Sequence, residues 1–282
     1  MIEQKGDVNM DNNEQEFKIA VKEATMYFLT DFFQNITNYT TKCNNQFVRY
    51  LANGKTNFDE KEVLDENSNS QFNSGYSKVV IILGSPHKDE YLDGKNKLEQ
   101  PICANGTTGD NLKECLSQLM DAMDLKGQNI DIAVINAIPY QCSQGVSTEV
   151  LRDFVWLKCW FEFGYNDTLD LLNKIKPDYI VNCCTKGCHF LPSASSLEVS
   201  KKYIEAVIDK TKIGNYDDIA YYEKESGKKE YSLREFVNQC IKNYKNNNAC
   251  VKLYQCTKHP CRWDCEFPKG EFKELNVKSI EE

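Results

Sequence analysis

Four short runs of aliphatic and β-branched residues, separated by helix-like segments, most constrain the fold of this 282-residue chain. The runs span residues 78–83, 131–135, 178–181 and 249–254. Between them, apolar residues recur at three-to-four spacing over residues 112–123 and 233–244. Strands that are joined through helices pair in parallel by right-handed crossovers. The pattern therefore predicts an α/β fold of three layers, with a central, mainly parallel four-stranded sheet flanked by helices.

The rest of the chain divides by composition and periodicity. Apolar residues at helical spacing run from Phe17 to Ile36 and resume around Phe47 and Leu51, so residues 1–54 predict a helical N-terminal extension. Residues 55–77 are rich in polar turn formers and predict a surface linker. The α/β domain then spans residues 78–270, and residues 271–282 form a polar tail. We expect the N-terminal helices to cap the sheet or to dock a protein partner.

Charge and cysteine content limit the classes of protein that fit. A net charge of -8 excludes a chain that coats nucleic acid by bulk charge alone. The 13 cysteines are odd in number and scattered, which favours reduced thiols over a disulfide framework. No stretch approaches the roughly 18 uninterrupted apolar residues of a membrane span, and the first residues do not resemble a leader. We therefore expect a cytoplasmic protein that does not engage a membrane.

Each predicted strand ends in a polar cluster. Parallel strands bring such ends to one edge of a sheet, which is where open α/β sheets bind ligands. Two of the three histidines, His87 and His259, fall in these clusters. The clusters are Gly84-Ser85-Pro86-His87, residues 136–141, residues 182–187 and Thr257-Lys258-His259-Pro260.

Each cluster also has a purely structural explanation. Gly84 and Pro86 are common strand-ending residues, and His259 could be a turn residue whose bonds are internal. Asn136 lies in an apolar run, where a buried amide without partners costs roughly 1–3 kcal/mol. It therefore either ties two loops together or binds a ligand. Residues 105–110 predict a capped turn or, because helix N-termini suit anions, a phosphate or carboxylate site.

Motifs for metal or cofactor chemistry are weak. The cysteine spacings lack the paired C-x2-C pattern of structural zinc sites, and we predict no metal and no cofactor. The complete P-loop pattern, G-x-S-x-G and H-E-x-x-H do not occur in the sequence. The two cysteine-rich patterns considered are Cys184-x3-Cys188-His189 and Cys256-x4-Cys261-x3-Cys265.

Three segments resemble the uracil-DNA glycosylase superfamily in their order and spacing. They are the strand ending in Gly84-Ser85-Pro86-His87, the strand ending in Asn136 and the strand before His259-Pro260. The resemblance covers roughly residues 78–265. It implies a DNA-repair hydrolase that recognises a flipped nucleobase and hydrolyses its N-glycosidic bond. Asn136 matches the amide that binds the base edge, and His259 matches the histidine that donates to a base oxygen. The implied partner is DNA, or a free nucleotide or base.

The first motif departs from that family, because Ser85 stands where its water-orienting carboxylate is expected. A serine cannot replace that negative charge, so Asp89 or Glu90 is expected to compensate. With His259, these two residues are the expected catalytic set. The expected base-binding residues are Asn136, Ser85, His87, Tyr140 and Asn182, and the expected nucleic-acid-binding residues are Lys258, Arg262 and Trp263, of which Arg262 and Trp263 match a wedge or stacking position.

Two other functions remain open. Ser85 and the acidic net charge favour a catalytically inactive protein that binds nucleic acid or a nucleotide on the same fold. Residues 80–86 also resemble the phosphate loop of flavodoxin-like reductases, which implies FMN binding. In that resemblance His87 replaces the arginine of the family loop, and no role falls to His259.

Overall fold

The computed structural model describes residues 42–67, 69–93, 96–142, 156, 159–187, 222–223, 229–230, 232–263 and 266–275. Within these ranges, the side chains of residues 88–89, 93, 96–97, 161, 222–223 and 229–230 are not described. Residues 1–41, which make up most of the predicted helical extension, lie outside the described residues, as do residues 276–282 of the predicted tail.

A six-stranded mixed sheet forms the centre of the fold, in the order β1-β5-β2-β6-β9-β10. Its four inner strands are parallel, and β1 and β10 pair antiparallel at the two edges. Two short hairpins, β3 with β4 and β7 with β8, stand apart from it. In chain order the strands are β1 Gln46–Tyr50, β2 Ser77–Leu83, β3 Leu92–Asp93, β4 Asn96–Lys97, β5 Ile130–Asn136, β6 Tyr179–Asn182, β7 Tyr222–Glu223, β8 Lys229–Glu230, β9 Lys252–Cys256 and β10 Phe272–Glu274.

Within the described residues, three α-helices have defined bounds: α1 Thr107–Ala122, α2 Tyr165–Ile175 and α3 Leu233–Asn246. The π-helical turn Trp160–Gly164 precedes α2. Short 3-10 turns occur at Phe58–Glu60, Lys88–Tyr91, Pro260–Arg262 and Lys269–Glu271. Among the described residues, none of the helices has the length and apolarity that a bilayer crossing requires.

The sheet confirms the α/β class and corrects its details. It has six strands and is mixed, whereas the sequence predicted four mainly parallel strands. The helix predicted around Phe47 and Leu51 is wrong for residues 46–50, which form β1. Those five residues are almost all buried, so their periodicity fits a helix or a strand, and antiparallel pairing with β5 decides between them.

The second edge strand, β10, lies within residues predicted as a polar tail. It pairs antiparallel with β9, and the Phe272 ring stacks on Tyr254 with centroids 5.1 Å apart. A three-residue strand carries too little periodicity to be recognised from sequence. Its position depends on the aromatic contact with a strand 16 residues earlier in the chain.

A buried carboxylate attaches β1 and the segment that follows it to the sheet. The Asp131 side chain on β5 is fully buried and accepts a hydrogen bond from Arg49 Nε at 2.8 Å. Its second oxygen accepts the backbone N–H of Asn73 at 2.6 Å, and Arg49 Nη2 donates to the Gln71 carbonyl at 2.7 Å. Residues 71–73, predicted as part of a surface linker, therefore pack on β5 through the Arg49–Asp131 pair.

Helix α1 packs on one face of the sheet with the apolar side that its spacing predicted. Leu112, Leu116 and Leu119 are buried in the cluster that also contains Val79 and Ile132. The helix starts in close contact with the preceding chain, because a Cβ on Gly109 would lie 1.8 Å from the Ala104 carbonyl oxygen. Glycine at this position lets the first turn of α1 lie directly on residue 104.

We predict that Gly109→Ala destabilises the protein, although alanine is by about 1 kcal/mol the better helix former. The added methyl group would overlap backbone that cannot rotate away, so the free energy of unfolding should fall by about 3 kcal/mol, the upper end for overpacking. Urea unfolding measures the change. The control Gly75→Ala meets only ordinary contact, 3.5 Å from Asn73 Oδ1, and should be near neutral. Equal stability of Gly109→Ala and wild type would contradict the prediction.

Candidate functional site

The carboxyl ends of the four parallel strands form one edge of the sheet. Numbered along the chain, these strands lie in the order 2-1-3-4, so the chain reverses its direction of winding between β2 and β6. Open α/β sheets bind ligands at such a switch point. The loops after the two strands touch there, because a Cβ on Gly84 would lie 3.4 Å from Thr185 Cγ2. A ligand-binding site is therefore expected at this edge.

A carboxyl–amide pair lies beside the switch point. Asn136, the last residue of β5, donates from Nδ2 to Glu90 Oε2 at 3.2 Å. Glu90 belongs to the 3-10 turn after β2, and β2 is the direct neighbour of β5. The Glu90 residue is 3% exposed and Asn136 6% exposed. The structure thus brings together two residues that the sequence singled out for different roles.

Burial sets the acid–base properties of Glu90. Desolvation raises the pKa of its carboxyl to about 7, while the hydrogen bond from Asn136 acts in the opposite direction. Cys43 Sγ lies 3.6 Å from the same Oε2 and donates to it. Desolvation also raises the pKa of the Cys43 thiol, which therefore stays protonated. Glu90 consequently exchanges its proton near neutral pH, as a general base must.

Asn136 has one hydrogen-bonding group to spare. Its backbone N–H donates to Asn45 Oδ1 at 3.2 Å, and its Nδ2 is held by Glu90. Its Oδ1 is buried and has no hydrogen-bond partner within the part of the chain that the structure describes. A buried carbonyl without a donor is unfavourable by roughly 1–3 kcal/mol, and such an atom in a polar cluster is typical of a binding site.

Sequence reasoning missed the residues that form the back of this site. Cys43 and Asn45 precede β1, in a segment predicted as helical, and neither belongs to a recognisable motif. They reach Glu90 and Asn136 because β1 pairs with β5, with Gln46 opposite Val134. Glu90 and Asn136 are 46 positions apart along the chain, and Asn45 and Asn136 are 91 positions apart. No local sequence pattern could therefore have revealed these contacts.

Asn182 does not join this cluster. It is fully buried, donates from Nδ2 to the Arg234 carbonyl at 3.0 Å and to Asn238 Oδ1 at 2.8 Å, and accepts the Cys184 N–H at 2.9 Å. Both amide hydrogens are engaged within the protein. We therefore correct the base-binding role expected for Asn182: its amide ties the loop after β6 to α3.

The other expected base-binding residues lie in the loops that follow β2 and β5. Ser85 is half-buried and His87 is exposed. Tyr140 is half-buried, with its ring edge-on to Phe163 and the centroids 5.9 Å apart. Asp89 lies in the 3-10 turn with Glu90, but its side chain is outside the described part of the structure. Of the two carboxylates expected to act, Glu90 is the one placed against Asn136.

The loop after β9 carries the remaining expected residues. His259 is half-buried and accepts from the Cys261 N–H at 3.3 Å through Nδ1. Lys258 is half-buried and Arg262 is exposed. Trp263 is 1% exposed and donates to the Lys258 carbonyl at 2.8 Å. The wedge or stacking role expected for Trp263 is corrected accordingly, because its indole is part of the core.

Asn136 and His259 lie at the same edge of the sheet, at the ends of strands that are three positions apart. At about 4.8 Å per strand this corresponds to roughly 14 Å along the edge. Helix α1 and the chain just before it link the two regions, since Asn111 donates to the Pro260 carbonyl at 2.9 Å and Glu90 is hydrogen-bonded to the backbone of Ala104. A base held by Asn136 therefore meets His259 only if the β9 loop leans over the switch point.

The donor set for a metal is poor in the described ranges. There, three His, Cys, Asp or Glu side chains do not come close enough to share an ion. Cys188, His189 and Cys265, which completed the two cysteine patterns, lie outside these ranges.

The fold and the site define an open α/β protein with a buried carboxyl–amide pair at the carboxyl edge of its sheet. Comparison with protein-family models, with curated proteins and with solved structures finds no match to this chain.

We predict a pH-dependent loss of stability that Glu90→Gln removes. The folded-state pKa of Glu90 is raised from 4.5 to about 7, so the unfolded chain ionises first as pH rises. The stabilising contribution is full below pH 4.5 and is lost as pH rises to 7, by about 3 kcal/mol in the free energy of unfolding. Denaturant unfolding from pH 4.5 to pH 8 measures it.

The glutamine variant keeps an oxygen that can accept from Asn136, so its unfolding free energy should exceed that of wild type progressively over this range. Glu114→Gln, on the exposed face of α1, is the matched control and should retain the wild-type pH dependence. Parallel pH profiles for wild type and Glu90→Gln would show that Glu90 titrates normally in the folded protein.

Proposed function

We propose that this protein binds an extruded nucleobase at Asn136 and Glu90 and hydrolyses its N-glycosidic bond, in the manner of the uracil-DNA glycosylases that it resembles in sequence. The observation that carries the proposal is the buried Asn136 amide, whose Nδ2 is held by a carboxyl group while its Oδ1 meets no donor among the described residues. A side chain fixed in this way is ready to bind a ligand of one hydrogen-bonding pattern.

The amide favours bases that carry an N–H beside a carbonyl. Asn136 Oδ1 needs an N–H donor, and the second Nδ2 hydrogen can donate to a neighbouring carbonyl oxygen. Uracil offers this pair at N3 and O4. Cytosine presents an acceptor at N3 and an amine beside it, which would face Oδ1 and Nδ2 with the wrong groups. The proposed substrate class is therefore a base with an imide-type or lactam edge.

Cleavage of the N-glycosidic bond develops opposite charges on the base and on the sugar. The departing base gains negative charge while the sugar becomes cationic, and water then bonds to C1′ as its proton leaves. Ionised Glu90 can stabilise the cation or accept that proton. His259, at the same edge, can donate to the base oxygen once the β9 loop closes over it. Exposed His87 and Arg262 suit the approach of a phosphate backbone.

Access to the site requires movement. Asn136 is 6% exposed, so a base reaches Oδ1 only after the chain that covers it shifts. Enzymes that act on an extruded base close a tight pocket around it in a similar way, and they recover the unstacking energy through contacts to the base.

A second candidate is binding without hydrolysis. It is favoured by the pKa of Glu90, about 7, which leaves the carboxyl partly uncharged at neutral pH, and by Ser85 at the position of the family carboxylate. A protein of this kind would bind a base or nucleotide and release it unchanged.

A third candidate is FMN binding. The strand order 2-1-3-4 is shared with flavodoxin-like sheets and puts the Gly84-Ser85-Pro86 loop at the switch point, where those proteins hold FMN. A titration of FMN followed by the quenching of its fluorescence tests this candidate. Unchanged fluorescence at high protein concentration dismisses it.

We predict that uracil binds more tightly than 3-methyluracil. Methylation at N3 removes the donor for Asn136 Oδ1, and leaving that carbonyl unpaired should weaken binding roughly tenfold to hundredfold. Calorimetric titration of the full chain with uracil, 3-methyluracil and cytosine measures the difference. Asn136→Ala should abolish the preference. The control Asn243→Ala removes an amide of α3 that donates to the Tyr165 hydroxyl, away from this edge, and should preserve it.

We predict abasic product from oligonucleotides that contain a single uracil or hypoxanthine, with a rate that rises with pH through about 7 as Glu90 ionises. Glu90→Gln should remove the product and the pH dependence together while still binding the base. Alkaline cleavage of a labelled strand detects the abasic site. A folded protein that binds uracil but yields no product at any pH would reject hydrolysis and support the binding function.

A further inference from the structure

Two buried thiols meet at the carboxyl edge of the sheet, outside the site described above. The register that pairs Asn182 with Gln255 brings Cys183, one residue on, beside Cys256 at the end of β9. Both residues are fully buried, lie in the same core cluster and are hydrogen-bonded to each other. Neighbouring strands are about 4.8 Å apart, within the Cα separation of 4.4–6.8 Å that a disulfide spans.

A buried guanidinium stands next to the thiol pair. Arg234 is 6% exposed and donates to the carbonyls of Cys184 at 2.9 Å and Thr257 at 2.6 Å, each one residue beyond a member of the pair. It makes no ion pair with a carboxylate of the described residues. The hydrogen bond from Cys183 lowers the pKa of the Cys256 thiol, and the positive charge of Arg234 acts in the same direction.

The two cysteines therefore have different roles available to them. The pKa of Cys183 is raised, with the hydrogen bond to Cys256 as the largest cause, so Cys183 keeps its proton and donates it. Of the two sulfurs, Cys256 therefore ionises more readily. The thiolate is the form that reacts with peroxides, and a fixed cation beside it favours that form. Because both sulfurs are fully buried, peroxide reaches them only when the strand ends open.

We propose that Cys183 and Cys256 form a redox modification site, in which hydrogen peroxide joins the two sulfurs in a reversible disulfide. In the first step the Cys256 thiolate attacks one peroxide oxygen, the O–O bond breaks, and hydroxide leaves and takes up a proton to become water. In the second step Cys183 sulfur attacks the Cys256 sulfenic acid, the S–O bond breaks, and a second water leaves with the Cys183 proton. Two thiols lose two electrons, and one peroxide becomes two waters.

The modification would act on the loop that carries His259. In the thiol form, Cys256 Sγ donates to the Lys258 carbonyl at 3.1 Å, and Trp263 Nε1 donates to the same oxygen at 2.8 Å. A disulfide removes the first of these donors. The Lys258 carbonyl then keeps the tryptophan as its donor, so oxidation of the sheet edge would loosen the residues around His259.

The test uses the reduced full chain. Thiols that react under native conditions are first blocked with N-ethylmaleimide, which includes the exposed Cys250 and Cys261. Hydrogen peroxide is then added, the remaining thiols are alkylated in denaturant, and the protein is digested with trypsin without reduction. We expect a peptide of residues 175–186 linked to one of residues 253–258, and its loss on treatment with dithiothreitol.

Three variants identify the sulfurs, because residues 175–186 contain Cys184 as well as Cys183. Cys183→Ser and Cys256→Ser should each lose the linked peptide. Cys184→Ser, which changes an equally buried neighbour, should keep it. Circular dichroism before oxidation verifies that each variant is folded. Absence of the linked peptide in oxidised wild type, or its persistence in folded Cys183→Ser, would overturn the proposal.

Discussion

The desolvation of one carboxyl group governs the chemistry that this fold offers. Glu90 lies in a turn after β2, where neighbouring strands and the chain before β1 exclude water from it. The resulting rise of its pKa to about 7 makes the group acidic enough to ionise and basic enough to take a proton. The same burial fixes the Asn136 amide, so the acid–base behaviour of Glu90 and the proposed ligand specificity have a common physical origin.

Much of the fold could be predicted from the sequence because it depends on local patterns. The β-branched runs predicted β2, β5, β6 and β9 to within a few residues, and helical spacing predicted α1 and α3. The edge strands could not be found in this way. β1 has a burial pattern that suits a helix equally well, and β10 is only three residues long. The positions of both strands are determined by pairing with strands that are distant in the sequence.

The residues of the site likewise divide into those that the sequence pattern predicted and those that depend on distant pairing. The position of Asn136 at a strand end, and the presence of a carboxylate soon after Gly84, were visible in the sequence. That Glu90 bonds to Asn136 depends on β2 and β5 being neighbours, and the contribution of Cys43 depends on β1. For Asn182 and Trp263 the sequence pattern suggested a role that the structure does not support. A polar or aromatic residue after a strand can hold loops together as well as bind a ligand, and the hydrogen bonds of these two residues hold loops together.

The position of β1 has a consequence for how the site opens. β1 has a sheet neighbour on one side, and its other side meets residues 56 and 63 through isolated bridges and the Glu62 carbonyl through the Phe47 N–H. Cys43 and Asn45, at the back of the site, precede this strand, and their backbone bonds to Pro139 and Leu64 lie outside the β1–β5 pairing. Breaking these bonds would uncover the Asn136 amide while the four parallel strands stayed paired, so a ligand could enter beside β1 without unfolding of the core.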